Sequence, residues 1–582
     1  VADDSCDPSK INDGAENEPN AGPCKIATGS DDIKFTCWWH KKAQWKDCST
    51  SCGNEIVRFN TSYPEEADGT AYPPNCSVNA TDSGNAAPPK ALVIDDTADG
   101  TASVRPNCPQ PKANAGKFTF AFAGDGSGLY PSKMDLHQLG AGFGGHFYLG
   151  HTRTPGDKGG KLNVSGTWQL KNAQTGWHRI AVHLPDHGAW AQQAHYVINL
   201  GDGTTKDRYI NQGRKANNWV SLGVYKLNGR ASVTLSTETE DGTGDDDIAF
   251  DAVAFQPLPG KPRDIVAALG DSYSSGEGSG NYYTETDADY GKDTWSACRR
   301  GKNAWPRKMK LPGQSTSAGE LSDAWSADSE LGFVACSGAW TTDVARQTSG
   351  YLGSNGKVVN LDGQFREAPQ IDSGVLDENT TMVTLSIGGN DAGFPQVLKE
   401  CALTGCPPEE DIKKKIDAAQ SGDPNRNIVG VGPLLELIRA KAPNAKIMVM
   451  GYPQLFGSIG LTCVTGVGTT GAQILNRMAV YMQQAEMKTV ESLGDKNIVY
   501  VNPDRSFDGK RACDDPEGIN KLVKAQNGDG DFKCLSTDSG CISRESYHPN
   551  KTGTSAYADA MQQAIGSLRE ANDAPDSRRQ RP

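Results

Sequence analysis

At 582 residues the chain is longer than one hydrophobic core organises, and about two to four domains are expected. A net charge of −13, from 58 Lys and Arg against 71 Asp and Glu, argues against nonspecific nucleic-acid binding, which needs an excess of basic residues. No apolar run reaches about eighteen residues, so no membrane span is expected.

The chain starts Val1-Ala-Asp-Asp, as a mature protein would after removal of a secretion signal. Fifteen cysteines, several in close pairs (Cys48/Cys52, Cys401/Cys406, Cys534/Cys541), point to the same compartment. Zinc is the competing explanation. Beyond residue 261, however, there is no Cys-x-x-Cys pair and a single histidine, which favours disulfides and a secreted, extracellular protein. Residues 1–115 hold seven of the cysteines (Cys6, Cys24, Cys37, Cys48, Cys52, Cys76, Cys108) among Pro, Asn, Asp and Gly. This N-terminal region reads as cysteine-rich and loop-rich, with disulfides holding its ordered parts. Trp38-Trp39-His40 fits aromatic packing against the cystines.

Residues 116–258 change to short β-type runs separated by turn residues. Tyr196-Val-Ile-Asn-Leu200 ends in Gly-Asp-Gly, and Trp219-Val-Ser-Leu-Gly-Val-Tyr225 leads to Leu227-Asn-Gly, a hairpin signal. Ala231-Ser-Val-Thr-Leu-Ser-Thr237 and Ile248-Ala-Phe-Asp-Ala-Val-Ala-Phe255 follow, and strands at this spacing predict an antiparallel β-sandwich. Seven histidines lie between His137 and His195. None falls in a His-Glu-x-x-His arrangement, so surface or packing roles are expected rather than metal binding. The pattern Trp219…Leu222-Gly…Ala231…Asp251-Ala-Val resembles the golvesin-type β-sandwich found beside secreted hydrolase domains. That resemblance implies an accessory module, with possible glycan or cell-wall contact through residues 116–258.

Pro257-Leu-Pro-Gly-Lys-Pro262 reads as a stiff linker, and residues 259–572 then alternate strand and helix. Asp264-Ile-Val-Ala-Ala-Leu269, Leu331-Gly-Phe-Val-Ala335, Thr381-Met-Val-Thr-Leu-Ser386, Lys446-Ile-Met-Val-Met450 and Asn497-Ile-Val-Tyr-Val501 have the length and apolarity of buried strands. Helical patterns cover 471–493 and 552–571. This alternation predicts a parallel sheet with helices on both faces, and sites at the carboxyl ends of its strands. Residues 573–582 read as a disordered, mildly basic tail.

Four motifs fall at those ends, in order. The first strand runs into Gly270-Asp-Ser-Tyr-Ser-Ser-Gly-Glu-Gly278. Phe333-Val-Ala-Cys-Ser-Gly-Ala339 follows the second strand, Leu385-Ser-Ile-Gly-Gly-Asn-Asp-Ala-Gly-Phe394 the third, and His548-Pro-Asn lies near the C-terminus. A serine hydroxyl needs a base to become a nucleophile at neutral pH, usually imidazole. The other eight histidines precede residue 196, which leaves His548 as the base for serine chemistry in this half. The chain contains no Gly-x-Ser-x-Gly, which argues against a nucleophile elbow.

This ordered set resembles the SGNH (GDSL-type) hydrolase family, in its secreted actinobacterial lipase/esterase branch, over roughly residues 264–570. The resemblance implies an α/β three-layer domain, with Ser272 as nucleophile, His548 as base, and Gly338 and Asn390 as oxyanion-hole residues. Three residues before the histidine many members carry Asp; here Glu545 stands there. Either its carboxylate or a backbone carbonyl would orient the imidazole. The branch also implies Cys298–Cys336, Cys401–Cys406, Cys463–Cys513 and Cys534–Cys541; the two short pairs also follow from spacing. The implied activity is hydrolysis of acyl esters (lipase or carboxylesterase type), without a metal ion or organic cofactor. The substrate would be a lipid, or an acylated glycan if the sandwich targets the enzyme to a polysaccharide. A glycan-binding protein with an inactive C-terminal domain is the reading from another class. Retention of Ser272, Asn390 and His548 argues against it.

Overall fold

The computed structural model describes residues 86–99, 108, 111–123, 133–137, 140–156, 162–186, 188–213, 217–242, 246–287, 296–345, 365–457, 463, 465–525 and 541–573, plus the backbone of short strands between 26 and 58. The chain divides into two compact units, Val1–Lys261 and Pro262–Pro582. Side chains of Trp38, Trp39 and His40, most N-terminal cysteines, Cys534 and residues 574–582 lie outside the described residues.

The first unit is all-β. Strands at Thr205–Ile210, Ala194–Asn199, Ser232–Ser236, Val164–Leu170 and Gly116–Phe122 form a five-stranded antiparallel sheet in that spatial order. A second sheet orders Asn218–Gly229, Gln174–Leu184, Val253–Pro257 and Leu92–Ile94, also antiparallel. Period-two burial along Val164–Leu170 and Ala194–Asn199 turns Trp168, Tyr196 and Ile198 into a shared core with Val233, Leu235, Phe250 and Phe255, as expected of strands with one buried face.

Three details differ from the sequence reading. The Gly-Asp-Gly after Leu200 does close a hairpin between Ala194–Asn199 and Thr205–Ile210. Leu227-Asn-Gly229 does not. The strand it ends belongs to one sheet and Ser232–Ser236 to the other, so this turn crosses between sheets. Gly229 (φ +136) packs so closely on Gly201 that a Cβ would lie 2.3 Å from the Gly201 carbonyl oxygen, which requires glycine. The apolar run at 248–255 is two strands, Asp247–Phe250 and Val253–Pro257, in different sheets and broken at Asp251-Ala252. Finally, Leu92–Ile94, taken above as part of the cysteine-rich region, pairs with Val253–Phe255 at the edge of the second sheet.

The second unit is a parallel sheet covered on both faces. Its strands are β1 (Asp264–Ala268), β2 (Ser329–Phe333), β3 (Met382–Leu385), β4 (Lys446–Met450) and β5 (Ile498–Val501), in the order β2-β1-β3-β4-β5, all parallel. Successive side chains point to opposite faces. Val266, Met382, Met448 and Met450 pack under α1 (Phe394–Leu403), α2 (Glu409–Ser421), α4 (Gly468–Ser492) and α5 (Lys551–Asp573). Ala267, Val383, Leu385, Ile447 and Val449 pack on the other face under α3 (Val431–Lys441). Every residue of β1 and β3 is buried, which explains why both read as continuous apolar runs. The chain reverses direction across the sheet between β1 and β3, and such switch points leave a crevice at the strand carboxyl ends. Among the described residues, no helix is long and apolar enough to cross a membrane.

Candidate active site

Beyond β1 the backbone turns at Gly270, whose φ of +124 and 2.5 Å from a would-be Cβ to the Ser386 carbonyl exclude a side chain. Buried Gln370 clamps this turn from both sides: Gly270 N–H donates to its Oε1 (2.7 Å), and its Nε2 donates to the Gly270 carbonyl (2.8 Å). Asp271 then caps the one-turn helix Ser272–Ser275 by accepting from the Tyr273 N–H at 3.0 Å, as short polar residues do at helix starts. Ser386 Oγ and the Tyr452 hydroxyl also donate to Asp271. Burial pushes the Asp271 carboxyl up to about 6 despite these donors. The result is a fixed position for Ser272 at the switch point.

His548 comes from the loop before α5. Its Nε2 lies 2.8 Å from Ser272 Oγ, and its Nδ1 lies 3.0 Å from the Ser546 carbonyl oxygen. An Nδ1–H donated to that carbonyl leaves Nε2 as the acceptor, the tautomer that can take a proton from a hydroxyl. The loop is held by the Tyr273 hydroxyl on the Tyr547 carbonyl (2.7 Å) and by the Asn520 N–H on the His548 carbonyl (2.9 Å). Glu545 is engaged by a tyrosine. Its Oε1 accepts from the Tyr282 hydroxyl at 2.6 Å, and Tyr282 in turn accepts from the Gly278 N–H at 2.8 Å. Of the two orienting groups considered from sequence, the structure places a backbone carbonyl on the ring and turns the glutamate to Tyr282.

Gly338 (φ +83) and Asn390 line the same cleft as Ser272 and His548. The Asn390 amide donates to the Ala339 carbonyl at 2.9 Å, which orients its Nδ2 beside the Gly338 loop. Buried Asp391 ties the two loops together by accepting from the Thr341 N–H (3.0 Å) and from the Thr341 hydroxyl. Burial pushes its carboxyl up to about 6 as well. The Cys298–Cys336 disulfide and the Ser337 N–H on the Cys298 carbonyl (2.8 Å) brace the Gly338 loop from the other side. Cys401–Cys406 and Cys463–Cys513 are also present; the fourth expected pair lies outside the described residues. The cleft is open to solvent and, counted together with the solvent at its mouth, spans about 710 Å³. Phe394, Leu398, Pro453, Leu455 and Ala479 supply an apolar wall.

The structure therefore brings Ser272, His548, Gly338 and Asn390 together in one cleft, and it hydrogen-bonds Glu545 to Tyr282. Sequence reasoning missed Gln370, Tyr452 and Asp391, and it offered a backbone carbonyl for the imidazole without saying which residue supplies it. Asp391 was within reach, inside the Gly-Gly-Asn-Asp segment. Gln370 sits in an irregular stretch with no local signal. A carbonyl carries none at all, since every residue has one.

Comparison with known proteins identifies the family of each unit. The GDSL-like Lipase/Acylhydrolase family model matches residues 268–556, and the Golvesin C-terminal domain model matches residues 145–257. Lipase 1 of Streptomyces coelicolor is 27% identical over 53% of this chain and 87% of its own length. A lipase of Streptomyces rimosus is 26% identical over 45% of this chain and 79% of its own. The crystal structure of phospholipase A1 from Streptomyces albidoflavus is 27% identical, covers 51% of this chain and 98% of that one, and has a TM-score of 0.34. The C-terminal unit belongs to the GDSL-like lipase/acylhydrolase (SGNH) family, and the chain is a carboxylic ester hydrolase that carries a golvesin-type β-sandwich.

Proposed function

We propose that the protein is a secreted serine esterase of lipase type that works through a Ser272 acyl-enzyme with His548 as general base. The observation that carries this reading is the 2.8 Å contact between His548 Nε2 and Ser272 Oγ at an apolar cleft. As Ser272 attacks the ester carbonyl, its proton passes to Nε2, and negative charge develops on the carbonyl oxygen. The Ser272 and Gly338 N–H groups and the Asn390 amide supply fixed donors for that oxyanion. The alcohol departs with the proton from His548, and the same nitrogen then activates water to release the acid. The Ser546 carbonyl holds the ring and its tautomer throughout. Secretion is supported by the disulfides at Cys298–Cys336, Cys401–Cys406 and Cys463–Cys513, which persist in oxidising compartments.

The apolar wall favours acyl chains longer than acetyl, since each buried methylene gains about 0.8 kcal/mol. Initial rates on p-nitrophenyl esters from acetyl to palmitoyl test this, with Ser272→Ala alongside. A maximum at about eight or more carbons, lost in the variant, is expected. A maximum at acetyl would move the substrate to acylated glycans and give the sandwich a targeting role. Wild-type rates in Ser272→Ala would overturn the mechanism.

A further inference from the structure

The first unit buries three carboxylates, Asp95, Asp96 and Asp251. Asp95 and Asp96 directly follow the edge strand Leu92–Ile94, and the Asp96 side chain is wholly buried beside His146. His146 Nδ1 lies 3.1 Å from Asp96 Oδ1, and its Nε2 lies 3.7 Å from Asp95 Oδ2. One ligand atom from each of Asp95, Asp96 and His146 can be chosen so that all lie within 4.8 Å of one another. Independently, Asp96 Oδ2 is buried and receives no hydrogen bond. An orphaned carboxylate oxygen in a protein interior costs free energy unless a cation or a proton meets it.

One imidazole, His146, faces both of these carboxylates and can balance at most one of them. Asp251, at the corner where the chain switches sheets, is a third buried carboxylate close enough to disfavour ionisation of both Asp95 and Asp96. It already accepts from the Phe143 N–H (3.0 Å) and sits 2.7 Å from His183 Nδ1, so His183 is matched to Asp251. That leaves His146 facing two carboxylates, with the Thr97 hydroxyl 3.2 Å from its Nε2. The Gly-rich segment 140–145 permits this approach: a Cβ on Gly144 would lie 3.0 Å from His146 Nε2, and one on Gly142 would lie 3.1 Å from Asp251 Oδ2.

We propose that Asp95, Asp96 and His146 form a structural binding site for a divalent transition-metal ion, tying the end of the edge strand to the Gly-rich loop of the sandwich. A mixed carboxylate and imidazole donor set suits Zn²⁺ or Mn²⁺ better than Ca²⁺ or Mg²⁺, which take oxygen ligands. The histidine cluster that reads from sequence as packing then has one member with a ligand role, which no sequence motif marks because its partners lie about fifty residues upstream. The competing occupant is a proton shared between the two carboxyls.

The test uses the full-length protein, purified without chelator, stripped with EDTA and dialysed against Zn²⁺ or Mn²⁺. Elemental analysis should return about one ion per chain. Stripping should lower the melting temperature of the sandwich by about 5 °C, with recovery on adding Zn²⁺. Asp96→Asn and His146→Gln should each lose the ion and the Zn²⁺-dependent shift, while hydrolysis of a short soluble ester stays within about twofold of wild type. Substoichiometric metal in the wild type with no shift on stripping would overturn the site in favour of a shared proton, without bearing on Ser272. Full retention of the ion in both variants would also overturn it, as would binding of Ca²⁺ alone.

Discussion

Glu545→Gln separates the two ways of orienting His548. In a serine triad whose acid holds the imidazole, replacing that acid by its amide lowers kcat by about 10⁴, close to 5 kcal/mol of barrier. Here Glu545 accepts from the Tyr282 hydroxyl and the ring nitrogen faces the Ser546 carbonyl. Glutamine keeps a carbonyl oxygen where Tyr282 donates, so the change removes only the charge-assisted part of one hydrogen bond, about 1 kcal/mol. The expected loss in kcat/KM is about fivefold or less, with KM nearly unchanged. The assay is steady-state hydrolysis of a soluble p-nitrophenyl ester near neutral pH, with melting temperature recorded to confirm the fold. A loss of about 10³ or more in a normally folded variant would refute the carbonyl-oriented imidazole.

Asn390→Ala should lower kcat by about 10² to 10³ with little change in KM, because the amide acts on charge that develops only during reaction. Cys298→Ser with Cys336→Ser opens a disulfide spanning 38 residues. Chain entropy assigns it about 4 kcal/mol, so the pair of changes should lower the denaturant midpoint of the C-terminal unit and reduce activity through the Gly338 loop. Asp391 is held up from 3.8 to about 6 by burial, so the folded state keeps a proton that the unfolded chain sheds above about pH 4. Its contribution is fully present below that pH and is lost as pH rises through about 6. Stability of wild type relative to Asp391→Asn, read by urea unfolding, should therefore fall by about 3 kcal/mol between pH 4 and pH 7. Parallel pH profiles would contradict the assignment.

What could be read from the chain depended on whether a feature was local. The strands of the second unit are buried on both faces, and Asp264–Ala268 or Lys446–Met450 carry that burial as plain apolar runs. Ser272, Gly338 and Asn390 stood out as candidates because each sits in a motif just beyond such a strand, and His548 because it is the one histidine after residue 195. The sandwich was legible as alternating strands but not in its connections. Whether Leu227-Asn-Gly229 closes a hairpin or crosses between sheets depends on which sheet takes the next strand, a long-range property. The same holds for Asp251, a charge inside an apolar run that marks a corner rather than a defect. The choice between Glu545 and a carbonyl was left open for a similar reason: the spacing of Glu545 from His548 is local, whereas Tyr282, which donates to it, lies 263 residues away.

The most direct test of the central claim is covalent trapping. The protein would be treated with a p-nitrophenyl alkylphosphonate, and the modified residue located by peptide mass spectrometry as activity is followed. A single adduct on Ser272, formed in step with loss of ester hydrolysis and absent in His548→Ala, is the predicted result. Full inhibition with the label on another residue, or full activity with Ser272 labelled, would contradict it.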